Sequence, residues 1–481
     1  MVASVLAQIY CGQSQLDTYI TCNPEISYFK FAYRRHSNFG LDNLTLSFDN
    51  NPYLSNKNIN FICYIPKNDY NFLLDLYLKY TIPDIYSNDK YKFRWINNFG
   101  TLIIKELVLK VNGNIIDTTT GEWITISNEL TQLVKDNFNK MTGNVSSFFD
   151  PKMDIPVITI NNNRYKNAYP IGDKNAKKPS IKGKEIVVPL NLNISKNPSL
   201  ALILTKITGG GVDAGGRNIW IELTLENIEN LYQVYSSDLD LYVSPVYYNE
   251  LYPNDIISID TFVINKELNA TIEATYAMVG NDDLLTWLSN GGANIDIVTE
   301  KIIKSSDYTI TPGTDLVNIT KLTRTGTHIK ELIWTLKRDD YYKFNTITNY
   351  TNSIPENQEK SIMSKAKITL NNFNRTEEKN ANFFNAIQPF KHHSAVPKQG
   401  IYSYSFALFP EMNKPSGSLN GSSFEISLYI YTNNQDNSVI NEKIKKLNKA
   451  PYNYNYRMNY YIRSINVLRY LNGTLSYVFA E

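Results

Sequence analysis

Cysteine, histidine and net charge are all scarce in this sequence, and each scarcity removes a class of function. The three cysteines, Cys11, Cys22 and Cys63, include no CxxC pair and leave one thiol over, so neither a disulfide framework nor a zinc site is signalled and reduced thiols are expected. Four histidines, His36, His328, His392 and His393, fit no HExxH pattern, and GxxxxGK[ST] and GxSxG are also missing, which removes the signatures of zincin, P-loop and nucleophile-elbow chemistry. No catalytic, cofactor-binding or metal-binding residues are therefore assigned. The balance of 48 Lys+Arg against 46 Asp+Glu gives no electrostatic footprint for nucleic acid, so direct genome binding is not expected. No run of 18 apolar residues occurs, which excludes an ordinary membrane-spanning helix. At the N-terminus, MVASVLAQIYCG lacks the basic residues and cleavage site of a signal peptide, and Val2, Val5, Leu6 and Ile9 fall at helical spacing.

What is abundant is strand pattern. The length of 481 residues implies two large domains or three ordinary ones, and 35 Tyr and 21 Phe mark a strand-prone chain. In 219–227 Ile219, Ile221, Leu223 and Leu225 alternate with polar residues or Trp220; 424–431, 401–408 and 72–80 repeat the period of two, the last with Phe72, Leu74, Leu76, Leu78 and Tyr80 on one face. Asn112-Gly113 and Asn472-Gly473 lie between such runs and predict tight hairpins, because both central positions of a type I′ turn need positive φ. Helices are few: one is expected over 121–141 with Gly143 as its stop, one over 281–292, and one over 377–387 ending before Pro389. Pro245 and Pro253 suggest a linker at 244–255, and the polar stretches 161–184, 208–218 and 345–365 are expected to be loops. Together these point to β-sandwiches rather than alternating βα units.

Several short patterns invite chemistry and do not support it. GGGVDA (209–214) satisfies GxGxxA, but a strand rather than a helix follows it. The His392-His393 pair has no carboxylate or thiol at ligand spacing, and the lysines of 174–184 lack the interleaved aromatics of a single-strand binder. N-x-[ST] sequons at Asn43, Asn144, Asn193, Asn269, Asn318, Asn349, Asn374 and Asn420 are candidate glycosylation sites, weakened by the ease with which an Asn-rich chain produces them; a further one at Asn472 falls in a hairpin.

The segment SQLDTYITCNPEISYFKFAYRRHSNFG (14–40) resembles the N-terminal signature of the major capsid proteins of nucleocytoplasmic large DNA viruses, with Tyr33, Arg34, Arg35, His36, Asn38 and Phe39 at the signature positions and Ser37 where Thr is usual. Further blocks resemble the family in the same order: 93–131, which holds Asn112, Gly113 and the Gly121-Glu122-Trp123 start of its "GEW…NEL" helix; 188–207; 330–336; 383–422 with Pro415-Ser416-Gly417; and 465–480. Residues 256–330 match poorly and the Gly-rich loop at 208–217 looks longer than usual.

The resemblance implies an all-β chain of two tandem eight-stranded antiparallel jelly rolls with a few short helices in loops: an N-terminal arm 1–25, a first roll 26–244 and a second roll 245–481. It also implies a homotrimer forming a pseudo-hexagonal capsomer that meets neighbouring capsomers, minor capsid proteins and penton proteins in a virion shell, assembled in the host cytoplasm or a virus factory. The arm would face those minor proteins or an internal viral membrane. Arg34, Arg35 and His36 would then anchor the base of the first roll through charge-assisted hydrogen bonds, or else be solvent-exposed charges at a strand start. The competing readings are a minor capsid or scaffold paralogue and, from another class, a glycan-binding β-sandwich whose tyrosines stack on sugars.

Overall fold

The computed structural model describes residues 19, 22–25, 29, 38–67, 69–88, 90–149, 159–160, 163–164, 172–175, 177–208, 217–280, 294–305, 307–313, 317–322, 328–436, 440, 442–443 and 452–479. The expected arm apart from residues 19 and 22–25, the Tyr33–His36 block, GGGVDA and the expected 281–292 helix lie outside them.

The two facing sheets of the first unit are built chiefly from β1 (Phe39–Ser47), β2 (Asn60–Tyr64), β3 (Phe72–Thr81), β4 (Ile104–Val111), β5 (Asn114–Thr119), β6 (Glu185–Pro189), β7 (Ile219–Leu225) and β8 (Thr271–Val279). One sheet runs β1-β8-β3, with β6 and the short Leu202–Ile203 on the far edge of β3; the other runs β2-β7-β4-β5. All these pairings are antiparallel. Leu73, Leu76, Leu78 and Ile272 from the first sheet and Phe61, Leu107, Leu109, Ile221 and Leu223 from the second fill one core between them.

The second unit repeats this order with β9 (Ile295–Lys304), β10 (Val317–Lys321), β11 (His328–Arg338), β12 (Met363–Leu370), β13 (Phe373–Asn374), β14 (Ile401–Ser405), β15 (Ile426–Thr432) and β16 (Tyr456–Leu471). Its sheets run β9-β16-β11-β14 and β10-β15-β12-β13, and short edge strands bring them to seven and five members. One strand order, first-eighth-third-sixth facing second-seventh-fourth-fifth, thus occurs twice: the chain is two tandem jelly rolls.

The two Asn-Gly turns form as their chemistry dictates. Asn112 and Gly113 (φ 50° and 87°) join β4 to β5; Asn472 and Gly473 (φ 49° and 79°) join β16 to β17 (Thr474–Tyr477). In β7 the expected alternation holds, with Ile219, Ile221, Leu223 and Leu225 all buried. In β3 it does not, because the register against β8 slips between Asp75 and Leu73. That bulge at Leu74 turns Leu73 inward in place of Phe72 and Leu74, while Leu76, Leu78 and Tyr80 keep the expected side.

Helices depart further from expectation. The 121–141 segment is two helices, α1 (Gly121–Thr131) and α2 (Lys135–Thr142), and Leu133 and Val134 between them are exposed. The Leu130 carbonyl, which a continuous helix would offer to Val134, instead accepts from Ala395 N at 2.8 Å, so a tertiary contact ends α1. Gly143 does close α2 with φ 73°. Near 383–392 the helix continues through Pro389, tolerated because it occupies the first turn of α4 (Gln388–His392).

The expected division at 244/245 falls inside the first roll. Ser244 caps α3 (Pro245–Leu251) by accepting from Tyr247 N, with Pro245 at the helix start, and the chain returns to the first sheet as β8 before leaving it. The stretch 345–365 is no exposed loop either: Asn345, Tyr350, Thr351 and Asn352 are buried, and Asn345 donates to the carbonyls of Glu229 and Tyr232.

The two glycines of the hairpins differ in surroundings. A Cβ on Gly113 would meet nothing within 4 Å, whereas one on Gly473 would lie 1.9 Å from Thr208 Oγ1. Gly113→Ala should lower unfolding free energy by about 1–2 kcal/mol through the left-handed backbone alone, and Gly473→Ala by about 3 kcal/mol once overpacking is added. Denaturant titration of both variants checks the difference; equal losses would show that the Thr208 contact carries no weight.

Candidate functional site: the joint between the two rolls

The most elaborate constellation of residues lies where the rolls meet. Helix α1 belongs to the first roll by sequence, yet its Trp123, Ile126 and Leu130 pack with Ile333, Tyr350, Ile401 and Tyr461 on the outer face of the second roll's sheet. Thr120 caps the helix by accepting from Trp123 N, and Gly121 is required because a Cβ there would lie 2.0 Å from Thr101 O. Trp123 then reaches Tyr461 with ring centroids 4.9 Å apart. With α1 covering it, β11 is enclosed on both faces, and every residue from Ile329 to Arg338 is buried.

Enclosure on both faces traps charged side chains, and each has partners. Glu122 accepts from Lys337 Nζ at 3.2 Å, with Lys304 at 4.0 Å and Tyr350 Oη at 3.3 Å. Burial by itself would raise the Glu122 carboxyl; Lys337 and Lys304 overcome that and hold it below the usual carboxylate range. Deeper in the joint, Glu300 on β9 receives Lys330 at 2.6 Å, Arg463 at 3.0 Å and, from the first roll, Lys196 at 2.9 Å. Desolvation opposes its ionisation, but these three cations keep it ionised far below its ordinary value. Arg463 continues to Glu331 at 3.4 Å, and Glu331 to His393. Asn193 ties in the backbone, donating to the Glu300 carbonyl at 2.9 Å.

The third part of the joint is made by the two Asn-Gly hairpins, which dock on one another. Asn112 Nδ2 donates to the Gly473 carbonyl at 2.9 Å, Asn114 Nδ2 to that of Leu475 at 3.0 Å, and Tyr477 Oη to that of Ile116 at 2.7 Å. Leu468, Tyr470 and Leu475 of the second roll thereby join the first roll's core.

Of the residues singled out from sequence, Asn112, Gly113, Gly121, Glu122 and Trp123 all lie in this joint. Asn38 accepts from Gly280 N at 3.1 Å just before β1, and Phe39 opens β1 with its ring half exposed. Tyr33, Arg34, Arg35 and His36 are outside the described residues. Pro415, Ser416 and Gly417 close a tight loop in which Ser416 Oγ accepts from Phe409 N at 2.9 Å and Gly417 takes φ 121°. Among the sequons, Asn43, Asn269, Asn374 and Asn420 are exposed and Asn144 and Asn318 half-buried. Asn193 and Asn349 are buried, and their amides bond to the Glu300 and Ser353 carbonyls, which removes both as glycan acceptors in the folded chain. Sequence reading missed Lys196, Glu300, Lys330, Glu331 and Arg463; the available signal was charge inside otherwise apolar strands. Among the described residues, no group of three or more His, Cys, Asp or Glu could hold a metal ion.

Both halves of the chain match family descriptions of one kind: residues 27–213 match "Major capsid protein N-terminus" and residues 296–476 match "Large eukaryotic DNA virus major capsid protein". The chain belongs to the major capsid proteins of large eukaryotic DNA viruses. Among relatives, "Probable capsid protein 4" of Acanthamoeba polyphaga mimivirus is 22% identical over 94% of each chain, and the "Major capsid protein" of Phaeocystis pouchetii virus is 23% identical over 98% of each. In fold it is similar to PBCV-1 VP54, as fitted into a reconstruction of the virophage Sputnik (TM-score 0.65, 17% identity, 95% of this chain and 100% of that one). It is also similar to the Faustovirus major capsid protein (TM-score 0.60, 12% identity, 95% and 94%). Its place as a capsid protein is the virion shell.

Lys337→Met would leave the Glu122 carboxylate buried without its nearest cation and should cost about 3 kcal/mol, whereas the pair Glu122→Leu with Lys337→Met should recover most of that loss. A double-mutant cycle in denaturant checks this. Because the Glu122 carboxyl is depressed in the fold, its contribution is full above the ordinary carboxylate pKa and fades as pH falls. The double variant should therefore lose less stability than the natural chain on acidification.

Proposed function

We propose that three copies of this chain form one pseudo-hexagonal capsomer and that such capsomers tile an icosahedral shell. The observation that carries this reading is the joint: two rolls of the same strand order are fixed against each other by a shared core, buried ion pairs and docked hairpins. A rigid pair of similar units becomes six around a threefold axis, which approximates sixfold tiling from a single gene product. Near-neutral charge suits the same role, since close-packed copies with a large like charge would repel one another. Phe390, Leu408, Phe409 and Met412 present exposed apolar side chains that contacts between copies would cover. The shell role is structural rather than catalytic; neighbouring capsomers, minor capsid proteins and penton proteins are its partners in this reading, with 1–25 directed toward an internal membrane or those minor proteins.

Light scattering on purified protein tests the assembly step. The expected species has about three times the 55.2 kDa chain mass; a stable monomer across the micromolar range would overturn the capsomer reading.

A further inference from the structure

We propose that His393 is held as an imidazolium that clamps the 406–417 loop onto the second roll, and that raising the pH above neutrality releases the clamp. The His393 side chain is fully enclosed, and both of its ring nitrogens face carboxylates: Nδ1 lies 3.0 Å from Glu411 Oε1, and Nε2 is in close contact with Glu331 Oε1. A neutral imidazole carries one N–H and would turn a bare lone pair toward one of these anions; only the doubly protonated ring donates to both. Both carboxylates are engaged by further donors as well. Glu331 also receives Arg463 at 3.4 Å, and Glu411 also accepts from Ser394 N at 3.0 Å and from Ser394 Oγ.

The charges around the ring come from every element packed on it. Lys330 and Glu331 stand on β11, Arg463 on β16, Glu300 on β9 and Glu411 on the loop, with Lys196 reaching in from the first roll; Lys391 and His392 are neighbours on α4. Asp117 accepts from Asn193 N beside Lys196 and is the fourth carboxylate of the group, against Lys196, Lys330, Arg463 and His393 as cations. Burial alone would lower the His393 pKa, and Arg463 acts in the same direction; the Glu331 and Glu411 carboxylates outweigh both and raise it to about 9. Stability from this proton is therefore complete below the ordinary histidine value near 6.5 and is lost as pH rises through about 9.

The loop that Glu411 holds has few other ties to the sheet: Lys330 Nζ donates to Met412 O at 2.7 Å, Phe406 N and Ala407 N donate to Lys330 O, and His392 Nδ1 lies 3.0 Å from Leu408 O. It presents Leu408, Phe409 and Met412 with more than half of each residue exposed. Loss of the imidazolium proton leaves the Glu411 carboxylate facing a ring with one N–H for two acceptors, and the loop loosens against α4, held there by Ser394 and His392.

Two NMR probes on the full chain test this: the imidazole resonances of its four histidines, and the Met412 methyl signal assigned with Met412→Leu. The expected result is one histidine resonance, absent in His393→Gln, that titrates with a midpoint near pH 9. The Met412 signal should shift with the same midpoint in the natural chain and show no such step in His393→Gln or, should that variant not fold, in Glu411→Gln. A His393 midpoint below pH 7 would overturn the charged-ring assignment, and a Met412 signal unchanged up to pH 10 would overturn the clamp.

Discussion

Glu300 is a carboxylate taken out of water, and the geometry of the molecule follows from the need to surround it with cation. Two of the three cations come from its own roll, Lys330 and Arg463, and the third, Lys196, only from the other. Buried ion pairs contribute little net stability against a well-packed apolar alternative, while removal of one partner is costly. The physical value of this group is therefore directional. The apolar patch of Trp123, Ile126 and Leu130 would bury nearly the same area after a small slide along the sheet, but Glu300 and Glu122 tolerate no slide, because their partners stand at single positions. Apolar burial supplies the adhesion between the rolls and the charges set their alignment.

Strands such as β7 and the two hairpins were legible because alternation reports a sheet with one wet face and because Asn-Gly admits few conformations, whereas the tandem rolls were reached only through the family resemblance. Sequence logic failed where both faces are covered. In β11 the buried run from Ile329 to Arg338 has no period at all, and its Lys330 and Glu331 look like ordinary surface charge until Met412 and His393 are placed over them. The break after Leu130 has a similar origin: Leu133 and Val134 continue the helical spacing, and only Ala395, 265 residues away, ends it. Prolines misled in the same manner, since Pro245 starts a helix as readily as it interrupts a strand. Within the joint, the family resemblance located Gly121, Glu122 and Trp123 without indicating that they face a second domain.

The tyrosines show how a chain rich in polar aromatics can still pack a dry interior. Tyr80 donates to Gly100 O, Tyr276 to Pro66 O, and Tyr454 and Tyr456 both to Asn352 Oδ1, so these rings fill core volume while their hydroxyls satisfy acceptors outside the strand ladders. Tyr470 accepts from Ile203 N across the joint, applying the same device between rolls. These rings face inward, away from any groove where sugars could stack.

The docked hairpins connect residues 361 positions apart in the chain. At ordinary rates of synthesis, roughly 5–20 residues per second, the first hairpin waits tens of seconds for its counterpart to leave the ribosome. A chain released before residue 472 can form the first roll's strand pairs but never close the joint. Because one part of the joint forms only with that late contact, an incomplete subunit is altered at its centre rather than merely shortened at one end, and a growing lattice has geometric grounds to reject it.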